Sequence, residues 1–228
     1  MPSSRMFEVA GKKVRTWNII TGCLHGCSYC WARRLAETKL KDTPRYKDGF
    51  KPAIHEAELS KRFKPGEIVF ISDMGDMWGE WVPVAWITAV LGVVEKWPET
   101  TFLFLTKNPA RYHQFKLPPN CFAGATIEST YVAACESPPA WERYVALAGL
   151  DHPLKFVSVE PIMDFMEGNG LTGFLSWLRD IGPKFVYIGM DNYNSGLPEP
   201  RLAKTKELIA ELQKFTEVRI KTLREANA

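Results

Sequence analysis

Cys23, Cys27 and Cys30 stand in the stretch Gly22-Cys23-Leu24-His25-Gly26-Cys27-Ser28-Tyr29-Cys30-Trp31, at C-x3-C-x2-C spacing with an aromatic residue before the last cysteine. Three thiolates on one short loop can hold three corners of a cuboidal iron–sulfur cluster, because soft thiolate ligands suit Fe–S and the loop can wrap it. No fourth ligand is adjacent, which leaves one iron open to a small molecule. Two plainer readings stay open. One is structural zinc with His25, Cys121 or Cys135 as fourth ligand, although zinc ligands usually come as two separate pairs and no second pair exists here. The other is a set of ordinary reduced thiols.

The elements that must position these residues show in the alternation of the chain. Short β-branched or aromatic runs are followed by helical stretches. The runs are Val14–Ile20, Ile68–Ile71, Thr101–Leu105, Cys121–Ile127, Leu154–Val159 and Phe185–Gly189, with Val218–Ile220 as a shorter seventh. Helices are predicted over Ala32–Leu40, Val84–Trp97, Pro139–Leu147, Thr172–Ile181 and Arg201–Phe215, with a short one near His55–Lys61. Near-continuous apolar strands alternating with helices mean a parallel sheet covered by helices. About six βα units are too few for a closed eight-unit barrel and suit an α/β incomplete (βα)6 TIM-like barrel of parallel strands. An open doubly wound sheet is the other topology.

Composition sets the bounds. The chain has 228 residues, 46% of them hydrophobic, which supports a real core and one domain over 1–228. No apolar run approaches a membrane span, and the first residues lack the apolar core of a signal peptide. Five cysteines, three of them clustered, do not resemble a disulfide framework. A reducing cytoplasm is the expected location. Net charge is +3, but it is unevenly placed. Residues 32–52 and residues 201–224 each carry seven basic and three acidic residues, a net +4 apiece. Two such segments on one face would attract phosphate, and two solvated helix faces are the plainer reading.

In parallel α/β folds the chemistry sits at the carboxyl ends of the strands, and every predicted strand here ends in polar residues. Ser72, Asp73 and Asp76 follow the second strand. Thr106 and Lys107 follow the third and can meet an anionic group. Thr126 and Glu128 end the fourth, where a carboxylate can accept from two ribose hydroxyls. Glu160, before Pro161, ends the fifth and can face cofactor or substrate. An internal ion pair of Lys107 with Glu128 or Glu160 is the alternative. Met74, Met77 and Met190 can line an apolar pocket. His25 reads as a local hydrogen-bonding residue and Cys121 as structural. Cys135 is either a hydrogen-atom donor to a substrate radical or an idle thiol.

The cysteine spacing with its aromatic resembles the signature of the radical S-adenosylmethionine (SAM) enzymes. That resemblance implies a [4Fe-4S] cluster on Cys23, Cys27 and Cys30. It implies SAM on the open iron, and reductive cleavage of SAM to a 5'-deoxyadenosyl radical that abstracts hydrogen from a substrate. It places Tyr29 near the adenine, and Ser72 and Asp73 at the ammonium of SAM. It also implies a reducing partner of flavodoxin or ferredoxin type. More narrowly, Trp17-Asn18, Thr21-Gly22-Cys23, Tyr29-Cys30-Trp31-Ala32-Arg33 and Val69–Met77 with Val82-Pro83 are similar to an uncharacterised radical SAM family first noticed in phage genomes. So are Leu105–Pro109, Thr126-Ile127-Glu128 and Ser158–Pro161. The spore photoproduct lyase group of DNA repair enzymes is a more distant likeness, which with the basic segments makes nucleic acid the expected substrate. Departures are Gly189-Met190-Asp191-Asn192 where the phage-type proteins carry glycine-glycine-glutamate, and a short C-terminal region. A zinc-stabilised nucleic-acid-binding module without catalysis is the alternative function, and a cluster protein that has lost SAM binding a third.

Overall fold

The computed structural model describes residues 8–9, 12–130, 134–165 and 170–225. Seven strands form one sheet: β1 (Arg15–Trp17), β2 (Ile68–Ile71), β3 (Thr101–Thr106), β4 (Cys121–Thr126), β5 (Lys155–Val159), β6 (Phe185–Ile188) and β7 (Glu217–Ile220). They lie side by side in chain order, and every pairing is parallel. The helices are α1 (Trp31–Glu37), α2 (Val84–Glu95), α3 (Ala140–Ala148), α4 (Gly170–Ile181) and α5 (Leu202–Leu212). This is an incomplete TIM-like barrel. A doubly wound sheet would reverse strand order at a switch point, and this sheet never does.

Strand alternation explains why the helices share one side. Val69, Ile71, Phe102, Phe104, Val157, Val159, Val186 and Ile188 belong to the large core that also holds the buried faces of α2, α4 and α5. On α4 that face is Phe174, Leu175, Leu178 and Ile181; on α5 it is Thr205, Leu208, Ile209 and Leu212. Both follow the i, i+3/i+4, i+7 spacing of one helical stripe. The intervening strand residues Phe70, Leu103, Phe156, Phe185 and Tyr187 form a separate cluster on the concave side. Successive side chains of a strand point to opposite faces, so one sheet serves two cores.

The first strand is shorter than the predicted Val14–Ile20. Asn18 leaves the sheet, and its Oδ1 accepts the Met74 amide at 3.0 Å. Ile20–Thr21 then pairs antiparallel with Ala53–Ile54, folding the connection 41–66 back over the carboxyl end of the sheet. Thr21 Oγ1 and His55 Nε2, 2.8 Å apart, fasten this hairpin. The predicted helix near His55–Lys61 is a short 3-10 turn, Glu56–Ser60. The first helix stops at Glu37 rather than Leu40, with Thr38 outside helical geometry. The glycine-rich connection before α4 lies partly outside the described residues. Among the described residues no helix is long and apolar enough to cross a membrane.

On the concave face, Leu105, Gly124 and Phe156 occupy one row across β3, β4 and β5. A Cβ on Gly124 would lie 2.3 Å from the Phe156 ring. That ring is fully buried and stacked on Phe185 at 4.9 Å, so it has nowhere to go. Gly124→Ala is expected to lose about 1–3 kcal/mol of stability by overpacking, read from urea unfolding. Adding Phe156→Leu should recover part of it; a fully stable single variant would show that the row is loosely packed.

Candidate active site

The next concave row towards the carboxyl ends changes character: Thr126, Ser158 and Tyr187 stand side by side on β4, β5 and β6. Beyond this hydroxyl row lies a cavity of about 230 Å3. Its wall takes alternate residues from the strands and their exits: Phe70 and Ser72, Leu105 and Lys107, Thr126, Ser158 and Glu160. Cys23, Cys27, Tyr29 and Cys30 close one side of it. All three cysteines are free thiols. They share this wall because the cysteine loop is docked backbone to backbone on the loop after β2. The Gly22 amide donates to Met74 O at 2.9 Å, and the Asp76 amide donates to Gly22 O at 3.3 Å. A Cβ on Gly75 would sit 2.8 Å from Gly22 O. Gly22 itself has φ +83, and a Cβ there would lie 2.2 Å from Lys51 O. Both glycines are therefore needed for the approach.

Two buried acids hold the surroundings. Asp76 Oδ2 meets His25 Nε2 at 2.9 Å and accepts the Thr106 hydroxyl at 2.9 Å and the Lys107 amide at 3.0 Å; its Oδ1 accepts the Trp78 amide at 3.0 Å. Burial works to raise the Asp76 carboxyl, but the bonds from His25, Lys107 and Thr106 outweigh it and hold the group below the usual range. Glu128 accepts from Lys107 Nζ at 2.7 Å, Arg143 at 2.6 Å and the Tyr29 hydroxyl at 3.0 Å. Here too burial opposes the charge, and the two cations win, setting its pKa at about 2.

Glu128, expected at the ribose, does not line the cavity. It is 1% exposed and both oxygens are occupied, so it is the internal ion pair of the alternative reading. Tyr29 lines the cavity while its hydroxyl is tied to Glu128. Thr126 faces the cavity from the fourth strand. Ser72 faces it too, with a positive φ of 58 that only a well-supported non-glycine residue holds. Its hydroxyl accepts the Ile20 amide at 3.4 Å. Asp73 lines the cavity; its Oδ1 is one of several buried polar atoms without a hydrogen-bond partner among the described residues, and burial raises its pKa. Glu160 lines the cavity and is held by Lys221 from the chain after β7.

The remaining cysteines separate. Cys121 opens β4, and its thiol donates to Pro118 O at 3.0 Å, so it is structural and remote from the strand ends. Cys135 lies against the cysteine loop: the Ser28 amide donates to Ala134 O at 3.0 Å, and the Cys135 thiol is 3.0 Å from the Ser137 hydroxyl. It sits behind Cys27 and is not on the cavity wall. His25 is engaged with Asp76. Of the three methionines, Met190 lines the cavity, Met77 joins the main core, and Met74 packs with Ala32, Ala36, Tyr46 and Phe50. Burial, with the Asp76 charge, pushes the Cys23 thiol up to about 12.

Ser158, Phe50 and Trp31 also line the cavity and were not anticipated. Ser158 was legible from period-two alternation, two residues before Glu160. Phe50 was not, because the Ala53–Ile54 pairing that delivers it is long-range. Among the described residues no three His, Cys, Asp or Glu side chains are gathered to hold a single metal ion. The residues do fit an iron–sulfur cluster with SAM. Three soft donors share one wall, which suits one thiolate per iron, and the orphaned Asp73 oxygen is an acceptor for an ammonium the protein does not supply.

The fold and the strand-end cavity define an incomplete parallel α/β barrel. A single-residue variant of spore photoproduct lyase is similar to it with a TM-score of 0.62 at 12% identity, covering 90% of this chain and 76% of the lyase. A lyase variant with bound AdoMet and dinucleoside spore photoproduct is similar with TM-score 0.55 at 12% identity over 88% of this chain; the chain spans 61% of that lyase. Streptococcus suis SuiB bound to S-adenosylmethionine gives TM-score 0.50 at 9% identity, over 92% of this chain and 50% of SuiB. At such identities the likeness establishes the fold. No curated protein sequence matches the chain. The chain belongs to a family described as a protein of unknown function (DUF5131), which matches residues 12–189.

The depressed Glu128 carboxyl makes a prediction with a definite sign. Its stabilisation is fully present above its ordinary value of 4.5 and is lost as pH falls towards its folded value of about 2. That amounts to roughly 3 kcal/mol at 1.4 kcal/mol per unit. The melting temperature should fall progressively below about pH 5. Glu128→Gln should be destabilised by about 3–5 kcal/mol at neutral pH, because it strands Lys107 and Arg143, and should show a flatter acid limb. Equal acid limbs for parent and variant would place the titration elsewhere.

Proposed function

We propose that this protein is a radical SAM enzyme acting as one domain. The observation that carries the reading is that Cys23, Cys27, Cys30 and Asp73 line one cavity at the carboxyl ends of a parallel half-barrel. Cys23, Cys27 and Cys30 hold a [4Fe-4S] cluster. When bound, the cluster and SAM together supply a 5'-deoxyadenosyl radical, formed with methionine from one electron, that takes a hydrogen atom from the substrate.

The chain's own residues bind and shield. Asp73 accepts the SAM ammonium. Thr126 and Ser158 offer neighbouring hydroxyls to the ribose in the place expected for Glu128. Tyr29, fixed by Glu128, borders the adenine. Phe70, Leu105 and Met190 keep that wall apolar, which excludes water and stray hydrogen donors. Glu160, held by Lys221, faces the substrate side. A hydrogen-donor role for Cys135 has no wall position to act from. The electron comes from a flavodoxin- or ferredoxin-like donor in a reducing cytoplasm, and the substrate is a nucleic acid. The phage-type affiliation rests on the motif resemblance.

The test is anaerobic. After reconstitution with iron and sulfide and reduction with dithionite, the protein should release 5'-deoxyadenosine from SAM, and Cys27→Ala should release none. A colourless protein that takes up zinc instead would sink the proposal. Asp73→Asn should load a cluster yet bind SAM about ten- to a hundredfold more weakly, as expected for losing a hydrogen bond to a charged group. Unchanged SAM affinity, measured by equilibrium dialysis, would remove Asp73 from the site.

A further inference from the structure

We infer that α1 with the loop after it, together with the loop after β6, forms a binding surface for single-stranded or locally unpaired nucleic acid, with Tyr193 as a base-stacking platform at the cavity mouth. The inference rests on the reading of the cavity as the reaction site and specifies the form of substrate presented to it.

Charge is the first observation. The two basic segments carry the same formal +4, but the fold treats them differently. In the C-terminal one, Lys204 pairs with Asp164 at 2.7 Å, Arg219 with Glu217 at 2.8 Å and Arg224 with Glu199 at 2.7 Å. Lys214 pairs with Glu211 and Lys221 with Glu160. Cations so paired have their charge met within the protein. In residues 32–52 Arg45 pairs with Glu58 at 3.0 Å. Among the described residues no ion pair forms at Arg33, Arg34, Lys39, Lys41, Lys47 or Lys51, and all but the half-buried Arg33 are exposed. This segment offers its charge to solvent and therefore to phosphate.

Its position is the second observation. The segment begins one residue after Trp31, and both Trp31 and Ala32 line the cavity. Buried Ala32 and Ala36 set the inner side of α1, which leaves Arg34 and Glu37 on the outer one, while Arg33 is half-buried and turns to Cys23 O. A strand tracking the basic segment thus passes the mouth of the cavity.

The third observation selects bases over other anions. Tyr193 also lines the cavity yet is 46% exposed, an uncommon state for an aromatic side chain at a site. The Arg34 guanidinium covers its ring at 5.2 Å from the centroid. The loop that carries Tyr193 is held from beneath, since Asp191 accepts the Tyr193 amide at 3.1 Å and Arg224 donates to Asp191 O at 2.6 Å. A fixed, exposed aromatic beside a cation with charge to share matches a base and its phosphate. An anionic lipid surface or an acidic peptide would use the charge and leave the ring idle. Bases in a duplex are already stacked on each other, so the platform favours unpaired ones.

Fluorescence anisotropy with a labelled oligothymidylate of about 12 nucleotides tests this on the full chain, before and after cluster loading. Binding is expected to weaken at least tenfold between about 50 and about 200 mM salt, and to be tighter for the single strand than for a duplex of equal length. Tyr193→Ala should weaken single-strand binding about tenfold and Tyr193→Phe should restore it, as stacking requires. Replacing Lys39, Lys41 and Lys47 together by Gln should reduce the logarithmic salt slope by about 2. These positions are exposed, and circular dichroism will show that the variants fold. The inference is overturned by absent or salt-independent binding, by equal affinity for duplex with no effect of Tyr193→Ala, or by preference for phosphatidylserine vesicles over the oligonucleotide. Deoxyadenosine formation is followed separately. Its presence without oligonucleotide binding overturns this inference and leaves the radical reading standing, while binding without it does the reverse.

Discussion

One buried carboxylate holds the site together. Asp76 receives His25 from the cysteine loop, the Thr106 hydroxyl and Lys107 amide from the end of β3, and the Trp78 amide from its own loop. Three chain segments, one 51 residues before Asp76 and one 30 residues after it, thereby meet on two oxygens. A charged acceptor with this many donors is stable when buried because the bonds to the charged form outweigh desolvation. The glycine contact between Gly22 and Gly75 depends on the same alignment. Without Asp76 the cysteine loop would keep its backbone bonds but lose the side-chain tie that sets its height above the sheet.

The second network, Tyr29, Lys107, Glu128 and Arg143, works on the other side of the same loop. It ties Tyr29 to the ends of β3 and β4 and to α3. Both networks converge on Lys107, whose amide donates to Asp76 and whose Nζ donates to Glu128, so the end of β3 joins the two. Glu128 accepts three donors, while Arg143 Nε of the same network is buried without a hydrogen-bond partner. Asp73, which carries a buried oxygen without a donor, lines the cavity.

The concave face is graded along the strands. Aromatic and aliphatic side chains fill its lower rows, hydroxyls form the next, and thiols and charged groups ring the top. Outside the mouth the surface changes again, to unpaired cations and one exposed tyrosine. The gradient from core to solvent therefore runs through the cavity as a progression of chemistries.

The sequence by itself determined the alternation of strands and helices and the cysteine loop, while the strand order in the folded sheet chose the barrel over the doubly wound alternative. Apolar runs of strand length and stripes of helical spacing are local patterns, and local geometry reads them directly; even the seventh strand appeared as Val218–Ile220. The three cysteines are close in sequence, so their spacing alone places them together. The tertiary structure decided the rest. Glu128 looked like a ligand-binding acid, yet its partners lie 15, 21 and 99 residues away, and no local pattern announces such pairs. Cys135 came to rest behind Cys27, and Asn18 shortened the first strand through a bond to residue 74. The two basic segments were indistinguishable by formal charge, and the folded ion pairs separated them, three of the five in the C-terminal segment using Asp164, Glu160 and Glu199 from outside it. Periodicity records which face a residue takes; what waits on that face depends on distances that only the folded chain sets.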